Sequence, residues 1–261
     1  MSELIKLTKD NGIATLLLNR PQAFNALNLD LMEHLARHLV SIALDDAVSV
    51  VIISGEGKAF CAGGDLKWAL DQPGGPSRAL HQLAGQFHQA MLEIRRMRKP
   101  VIAAVNGVAA GGGFSLAMAC DFRVVARSAT LKQAYTSAGL CIDGGGTFTL
   151  PRLVGFARAM EIVGFDKPIS SEQALAWGLA TKVVEDGRAL EEALNMAREL
   201  MKGSLHSFGW CKALLTDSFD TAFEAQIERE RLGLTHCAAH RDGQEGMKAF
   251  AEKRKPVFNA K

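Results

Sequence analysis

Twelve of the chain's 25 glycines fall in three short windows, at 55–64, 107–113 and 139–146. Average usage of roughly 7% predicts about 18 glycines in a chain of this length. A surplus spread evenly would signal loops. A clustered surplus signals backbone that turns sharply or lies against a ligand. The length of 261 residues admits one large domain or two modest ones. With 48% hydrophobic and 22% charged residues, the chain can bury a core without disulfide or metal staples.

Between the windows the pattern is α/β. Residues 4–9 and 13–18 read as a hairpin across Asp10-Asn11-Gly12. Asn28 caps a helix running to about Leu44, with Leu31, Leu35 and Leu39 at helical spacing. Val48–Ile53 and Val101–Val105 are continuous apolar runs suited to buried strands. A short helix follows Asp65, residues 71–77 form a loop, and Ser77–Met97 reads as a long helix. Gly111–Ala119 reads as a helix and Phe122–Val125 as a strand. From Asp186 the strand signals fade, and 188–202, 205–216, 219–236 and 242–252 read as helices. The chain therefore divides into an α/β region, 1–187, and a helical region, 188–261. The pattern alone fits a doubly wound sheet or a spiral of β-β-α turns.

Charge and cysteine content remove whole classes of function. Thirty basic residues against 28 acidic ones give +2, too weak a field for nucleic acid or a membrane surface. Five widely spaced cysteines without a CxxC argue against a disulfide framework and a metal site, and for reduced thiols in the cytoplasm. Cys61, Cys120 and Cys141 sit among small apolar residues and are expected to be buried. The N-terminus lacks a signal-peptide layout. Residues 100–120 carry no charge and are long enough to span a bilayer, but contain Pro100, Asn106 and four glycines. They read as a buried strand and a glycine-started helix.

Each window has a chemical reading beside a structural one. Asn106–Ser115 follows a strand and opens a helix, so its first amides point outward with the positive end of the dipole. That suits an oxyanion, or else close helix–strand packing. No Lys-Ser/Thr follows, so it is not a P-loop. Phe60–Asp65 has the same logic, and two such windows could aim two N–H groups at one oxygen. In the third window, Asp143 is the one carboxylate between Asp121 and Glu161. An apolar setting would raise its pKa and make it a proton shuttle; the alternative is a helix cap near Thr147.

The ordered motifs Asn19-Arg-Pro-Gln-Ala-Phe-Asn-Ala-Leu-Asn28, Gly57-Lys-Ala-Phe-Cys-Ala-Gly-Gly-Asp-Leu66 and Lys99–Gly113 resemble the crotonase (enoyl-CoA hydratase/isomerase) superfamily. Asp143-Gly-Gly-Gly-Thr, Leu150–Gly155, Ala174–Leu179 and Phe250–Phe258 extend the match over nearly the whole chain. The resemblance implies a crotonase-like β-β-α spiral as the catalytic core, with a helical C-terminal trimerisation region. It implies a homotrimer or dimer of trimers and an acyl-CoA thioester substrate, coenzyme A being part of that substrate and no further cofactor or metal being needed. It places the thioester oxygen on the amides of Gly64 and Gly112, next to Gly63 and Gly111. Coenzyme A would lie along Ala62, Asp65, Leu66 and Lys67, helped by Ala26. Phe250 and Lys253 would help bind it, Lys253 reaching phosphates across a subunit boundary.

The departures narrow the activity. Family hydratases carry two glutamates, where this chain has Ser115 and Tyr135. Neither is a carboxylate base. Asp143, kept before the Gly-Gly-Gly run, resembles the isomerase branch: the ring isomerases of phenylacetate breakdown and some Δ3,Δ2-enoyl-CoA isomerases. Dehalogenases of the superfamily use an aspartate here with Trp at the Tyr135 position and His at the Leu92 position; the missing His speaks against that chemistry. The expectation is an isomerase working through Asp143, with Tyr135 lining the acyl pocket or only packing. The alternatives are a divergent hydratase, lyase or thioesterase, or a silent CoA-binding homologue. His34, His38, His81, His88, His206, His236 and His240 are scattered on helices and are expected to have no catalytic partner. Trp68 and Phe87 could close the pocket or pack in the core, and the Arg95–Lys99 run reads as a solvated helix end.

Overall fold

The computed structural model describes residues 3–259. Met1 and Ser2, the start of the segment read for a leader, and the chain's last two residues lie outside them.

The hairpin forms as its turn dictates. β1 (Ile5–Asp10) pairs antiparallel with β2 (Ile13–Leu18), and Asn11 and Gly12 take φ of 46° and 80°, the left-handed pair that a two-residue hairpin turn needs. Asn28 then caps α1 (Leu29–Ala43) by accepting from Leu31 N–H at 3.1 Å, a bond that contributes about 1 kcal/mol. Buried Leu31, Leu35, Leu39 and Ile42 form its inner stripe.

A repeating unit follows. β3 (Val50–Gly55) and β4 (Ala59–Cys61) precede α2 (Leu66–Leu70) and α3 (Gly75–Arg96). β5 (Val101–Val105) and β6 (Val108–Ala110) precede α4 (Gly112–Ala119). β7 (Phe122–Ala126) and β8 (Thr130–Lys132) precede α5 (Gly146–Val154) and α6 (Phe156–Phe165). Each turn gives its first strand to a six-stranded sheet, β1-β2-β3-β5-β7-β10, and its second to a four-stranded sheet, β4-β6-β8-β9. The remaining elements of this region are β9 (Ile169–Ser170), α7 (Ser171–Ala176) and β10 (Lys182–Val184). This is a β-β-α spiral, not a doubly wound sheet. β3 and β5 are buried throughout and parallel to their neighbours, so they read as unbroken apolar runs.

The helical tail comprises α8 (Ala189–Leu200), α9 (Leu205–Asp217), α10 (Phe223–Ala239) and α11 (Arg241–Ala251). α8 buries Ala189, Ala193 and Ala197 against β3, β5 and β7. Buried Lys212 anchors α9: its Nζ meets Asp121 Oδ2 at 2.8 Å and donates to the carbonyls of Ile94 and Lys99. Among the described residues no helix is long and apolar enough to cross a membrane.

Several expectations need correction. The loop expected over 71–77 ends early, because Gly74 and Gly75 take positive φ and α3 starts at Gly75 with Pro76 in its first turn. The helix expected over 219–236 spans 223–239 instead. β4, β6 and β8, three residues each, leave no periodicity to read. Cys61 and Cys120 are buried, with thiols pushed up to about 12 by burial. Cys141 is exposed, on the loop that carries Asp143.

Candidate active site

β4 and β6 run parallel as neighbours, so the first and second glycine windows leave the small sheet side by side. They touch through bare backbone. A Cβ on Gly63 would stand 2.7 Å from the Ala110 carbonyl oxygen and 3.1 Å from Gly112 N. One on Gly113 would stand 2.1 Å from the Cys61 carbonyl. No side chain fits at either contact.

This packing aims two amides. Leu27 bridges the first window by donating to Gly63 O at 2.7 Å and accepting from Asp65 N at 2.8 Å. Those bonds use the residues flanking Gly64, so Gly64 itself faces the other way. Gly112 is the first residue of α4, where a helical amide has no partner within the helix. Both glycines line one cavity of about 350 Å³. Leu27, Leu80, Leu83 and Phe87 give it apolar walls, and Tyr135, Ile142 and Asp143 close its far side.

The third window presents Asp143, which does not cap a helix. α5 starts after Gly145, which caps it without a side chain. The Asp143 carbonyl is held instead: Ser115 Oγ donates to it at 2.7 Å, Gly146 N at 3.2 Å and the Tyr135 hydroxyl at 3.5 Å. Ser115 and Tyr135 also meet each other at 3.3 Å. Burial pushes the Tyr135 phenol up, so it stays a neutral hydroxyl. With its backbone fixed, Asp143 turns its carboxylate to His88, Nε2 to Oδ1 2.5 Å. The Asp143 side chain keeps 35% of its surface exposed, so the deep apolar burial expected for it is not what shapes this group.

The three glycine windows thus bring Gly64, Gly112 and Asp143 to one cavity. The family described as Enoyl-CoA hydratase/isomerase matches residues 8–261. The chain belongs to this family. It is 36% identical to the 1,2-epoxyphenylacetyl-CoA isomerase of Escherichia coli, covering 100% of both chains. It is 38% identical to the crotonyl-CoA hydratase of Syntrophomonas wolfei, covering 99% of each. The crystal structure of an enoyl-CoA hydratase from Bacillus anthracis superposes with a TM-score of 0.92 at 31% identity, covering 99% of this chain and 100% of that one. The spiral is therefore the crotonase fold, and the relatives' names divide between isomerase and hydratase.

Within this enoyl-CoA hydratase/isomerase frame, Ala62, Gly64, Leu66, Gly111, Gly112, Tyr135 and Asp143 line the cavity. Gly63 packs beneath it. Asp65 caps α2 and pairs with Arg20 at 2.9 Å. Arg20 also donates to the Ala26 carbonyl. Arg20 thereby ties Ala26 to the first window, a structural use of the Asn-Arg-Pro motif that the sequence reading left unassigned. Lys67 is exposed on α2. Phe250 and Lys253 are exposed at the end of α11 and do not line the cavity in this chain. Of the two aromatics, Phe87 lines the cavity, while Trp68 is partly buried against the core. Among the described residues, no three His, Cys, Asp or Glu side chains are placed to hold a metal ion.

His88 is the residue that sequence reasoning missed. It was expected to lack a carboxylate partner, and 55 residues separate it from Asp143. Its absence was inferred from Leu92, which lies one turn further along α3. Residues four apart share a helix face, so the imidazole arrives one turn earlier. The argument drawn from Leu92 against dehalogenation does not hold. The Arg95–Lys99 run is also more than a solvated end. Lys99 Nζ donates to the carbonyls of Ile42 and Asp45 at the end of α1, and the Arg98 guanidinium lies 4.2 Å from the Trp210 ring centroid.

Proposed function

We propose that this chain is an enoyl-CoA isomerase that shifts a double bond by proton transfer through Asp143. One observation carries the reading: among the described residues Asp143 is the only carboxylate lining the cavity that Gly64 and Gly112 share. Ser115 and Tyr135, at the positions of the hydratases' glutamates, are committed to the Asp143 carbonyl and to each other.

The thioester carbonyl oxygen lies on the Gly64 and Gly112 amides. Asp143 takes a proton from the α-carbon of a 3-enoyl thioester. The electron pair left behind spreads through the adjacent double bond and onto the thioester oxygen. Two N–H donors stabilise that charge; removal of one such donor typically costs about 3 kcal/mol. Asp143 then returns the proton to the γ-carbon, giving the 2-enoyl thioester. His88 Nε2 meets Oδ1 and fixes how the carboxylate points when it takes the proton. Coenzyme A belongs to the substrate, and the transfer needs no other cofactor. Ala26, Ala62, Asp65, Leu66 and Lys67 flank the route of its pantetheine, with Phe250 and Lys253 contributed across a subunit boundary in a trimer or a pair of trimers. Residues 1–187 form the catalytic core and 188–261 the assembling region. Free cysteines support a cytoplasmic setting as part of the same reading.

The His88 contact also favours a second reading, in which the dyad activates water for addition or thioester cleavage. A panel of 3-enoyl-CoA and 2-enoyl-CoA esters, followed for double-bond migration, water addition and free CoA, separates the two. Asp143→Asn is expected to lower isomerisation by about 10²- to 10⁴-fold while the ester still binds. Substantial residual isomerisation by that variant overturns the assignment.

A further inference from the structure

A second cavity of about 370 Å³ adjoins the first at Phe87–His88 and Asp143–Gly144. Neighbouring residues line opposite sides of one partition. Phe87 and Asp143 face the first cavity, while His88 and Gly144 face the second. The His88–Asp143 contact bridges that partition. The two side chains keep 50% and 35% of their surface, so nothing locks them together on all sides. His88, Met91, Leu92 and Arg95 fall at i, i+3, i+4 and i+7 of α3 and form one wall, and Phe148 of α5 forms another.

Arg95 brings a guanidinium into this largely apolar space. It is half-buried, and its guanidinium lies 4.8 Å from the Phe148 ring centroid, a ring that Arg152 also covers at 3.4 Å. Three carboxylates lie near enough for Arg95 to feel their charge, and each is already paired elsewhere. Asp121 pairs with Lys212 at 2.8 Å, Asp217 with Arg229 at 3.4 Å and Asp220 with Arg152 at 3.7 Å. Among the described residues Arg95 has no ion-pair partner of its own. Burial and the Arg152 charge hold its guanidinium below its ordinary value, so a bound anion would relieve it. The thioester end is fixed at Gly64 and Gly112, on the other side of Asp143. An acyl group that threads past the His88–Asp143 contact would bring its far end to Arg95.

We propose that this cavity is the subsite for the distal end of the acyl chain and that its ligand there is a carboxylate paired with Arg95. The substrate class is then a coenzyme A thioester of a dicarboxylic acid. This rests on the isomerase reading above, which fixes the thioester end.

The test uses 3-enoyl-CoA esters of equal length ending in a methyl or a carboxylate, with a phenyl-ended ester as a third probe. The wild-type kcat/KM is expected to favour the carboxylate-ended ester. Arg95→Met should lower the carboxylate-to-methyl ratio by about 10- to 100-fold, the value of a charge-assisted pair, and Arg95→Lys should retain part of it. General damage from the substitution cancels in the ratio. An unchanged ratio in Arg95→Met, or a wild-type preference for the methyl- or phenyl-ended ester, overturns the subsite. Calorimetric binding of the same esters to Asp143→Asn separates the two readings. If no ester is isomerised, the isomerase reading fails, and the subsite stands or falls on the ratio of dissociation constants alone.

Discussion

Asp143 is held at both ends, and the two ends do different work. Ser115 and Gly146 fix its carbonyl, which sets where the loop sits. His88 meets its carboxylate, which sets how the acid group points. Removing the imidazole leaves the loop in place, so the loss should fall on chemistry and not on binding. His88→Ala is expected to lower kcat for isomerisation by about 10-fold or more with KM nearly unchanged. A fall in affinity with kcat preserved would make His88 a wall residue only. The sequence made Asp143 legible because it is an isolated carboxylate in a glycine-rich apolar stretch. His88 was illegible because a lone histidine on a helix carries no local mark of the loop that packs across it.

At the level of elements, the tail helices carry stacked imidazole and indole rings. His206 of α9 stacks on His240 at 3.9 Å, and Trp210 stacks on His236 at 5.0 Å. The His206 Nε2 is buried without a partner. Burial, and then the charge of His240, lower its pKa. The fold thus favours neutral His206. Above the unfolded pKa of about 6.5 its contribution is fully present; as pH falls below that, the unfolded chain takes up a proton first and stability is lost. Melting temperature should therefore drop between about pH 7 and pH 5.5 by more in the wild type than in His206→Phe, which keeps a ring and removes the titration. Equal drops would show that His206 contributes nothing to acid sensitivity. Element types were largely readable here, since helices of eleven residues or more mark themselves by periodicity. The three-residue strands were not readable, because a parallel sheet is made by partners distant in sequence.

The whole molecule leaves an apolar stripe without cover. Phe223, Ile227 and Leu234 of α10 are exposed by 72%, 42% and 72%, and their spacing puts them on one helix face. Scattered apolar residues are normal on a surface, but an aligned row on one helix marks a contact face. It supports the proposed assembly through residues 188–261. Ile227→Glu combined with Leu234→Glu is expected to lower the mass measured by light scattering toward that of one chain. An unchanged mass would place the subunit contact elsewhere.

The sequence by itself determined the local backbone. Asn11-Gly12 turns the hairpin and Asn28 starts α1. Glycines stand at 63 and 113 because carbonyls and amides of the neighbouring window occupy the space of a Cβ. Ordered motifs also sufficed to place the chain among the crotonases, since those motifs are the windows themselves. Only the tertiary structure decided what the windows do together. The parallel pairing of β4 with β6 brings Gly64 and Gly112 to one cavity, and the packing of α3 across the third window delivers His88 to Asp143 and Arg95 to the space behind it. Turn and cap preferences are set by neighbours in the chain and can be read from it. A site is set by which strands pair and which helix crosses which loop, and those contacts are made between residues that the sequence keeps far apart.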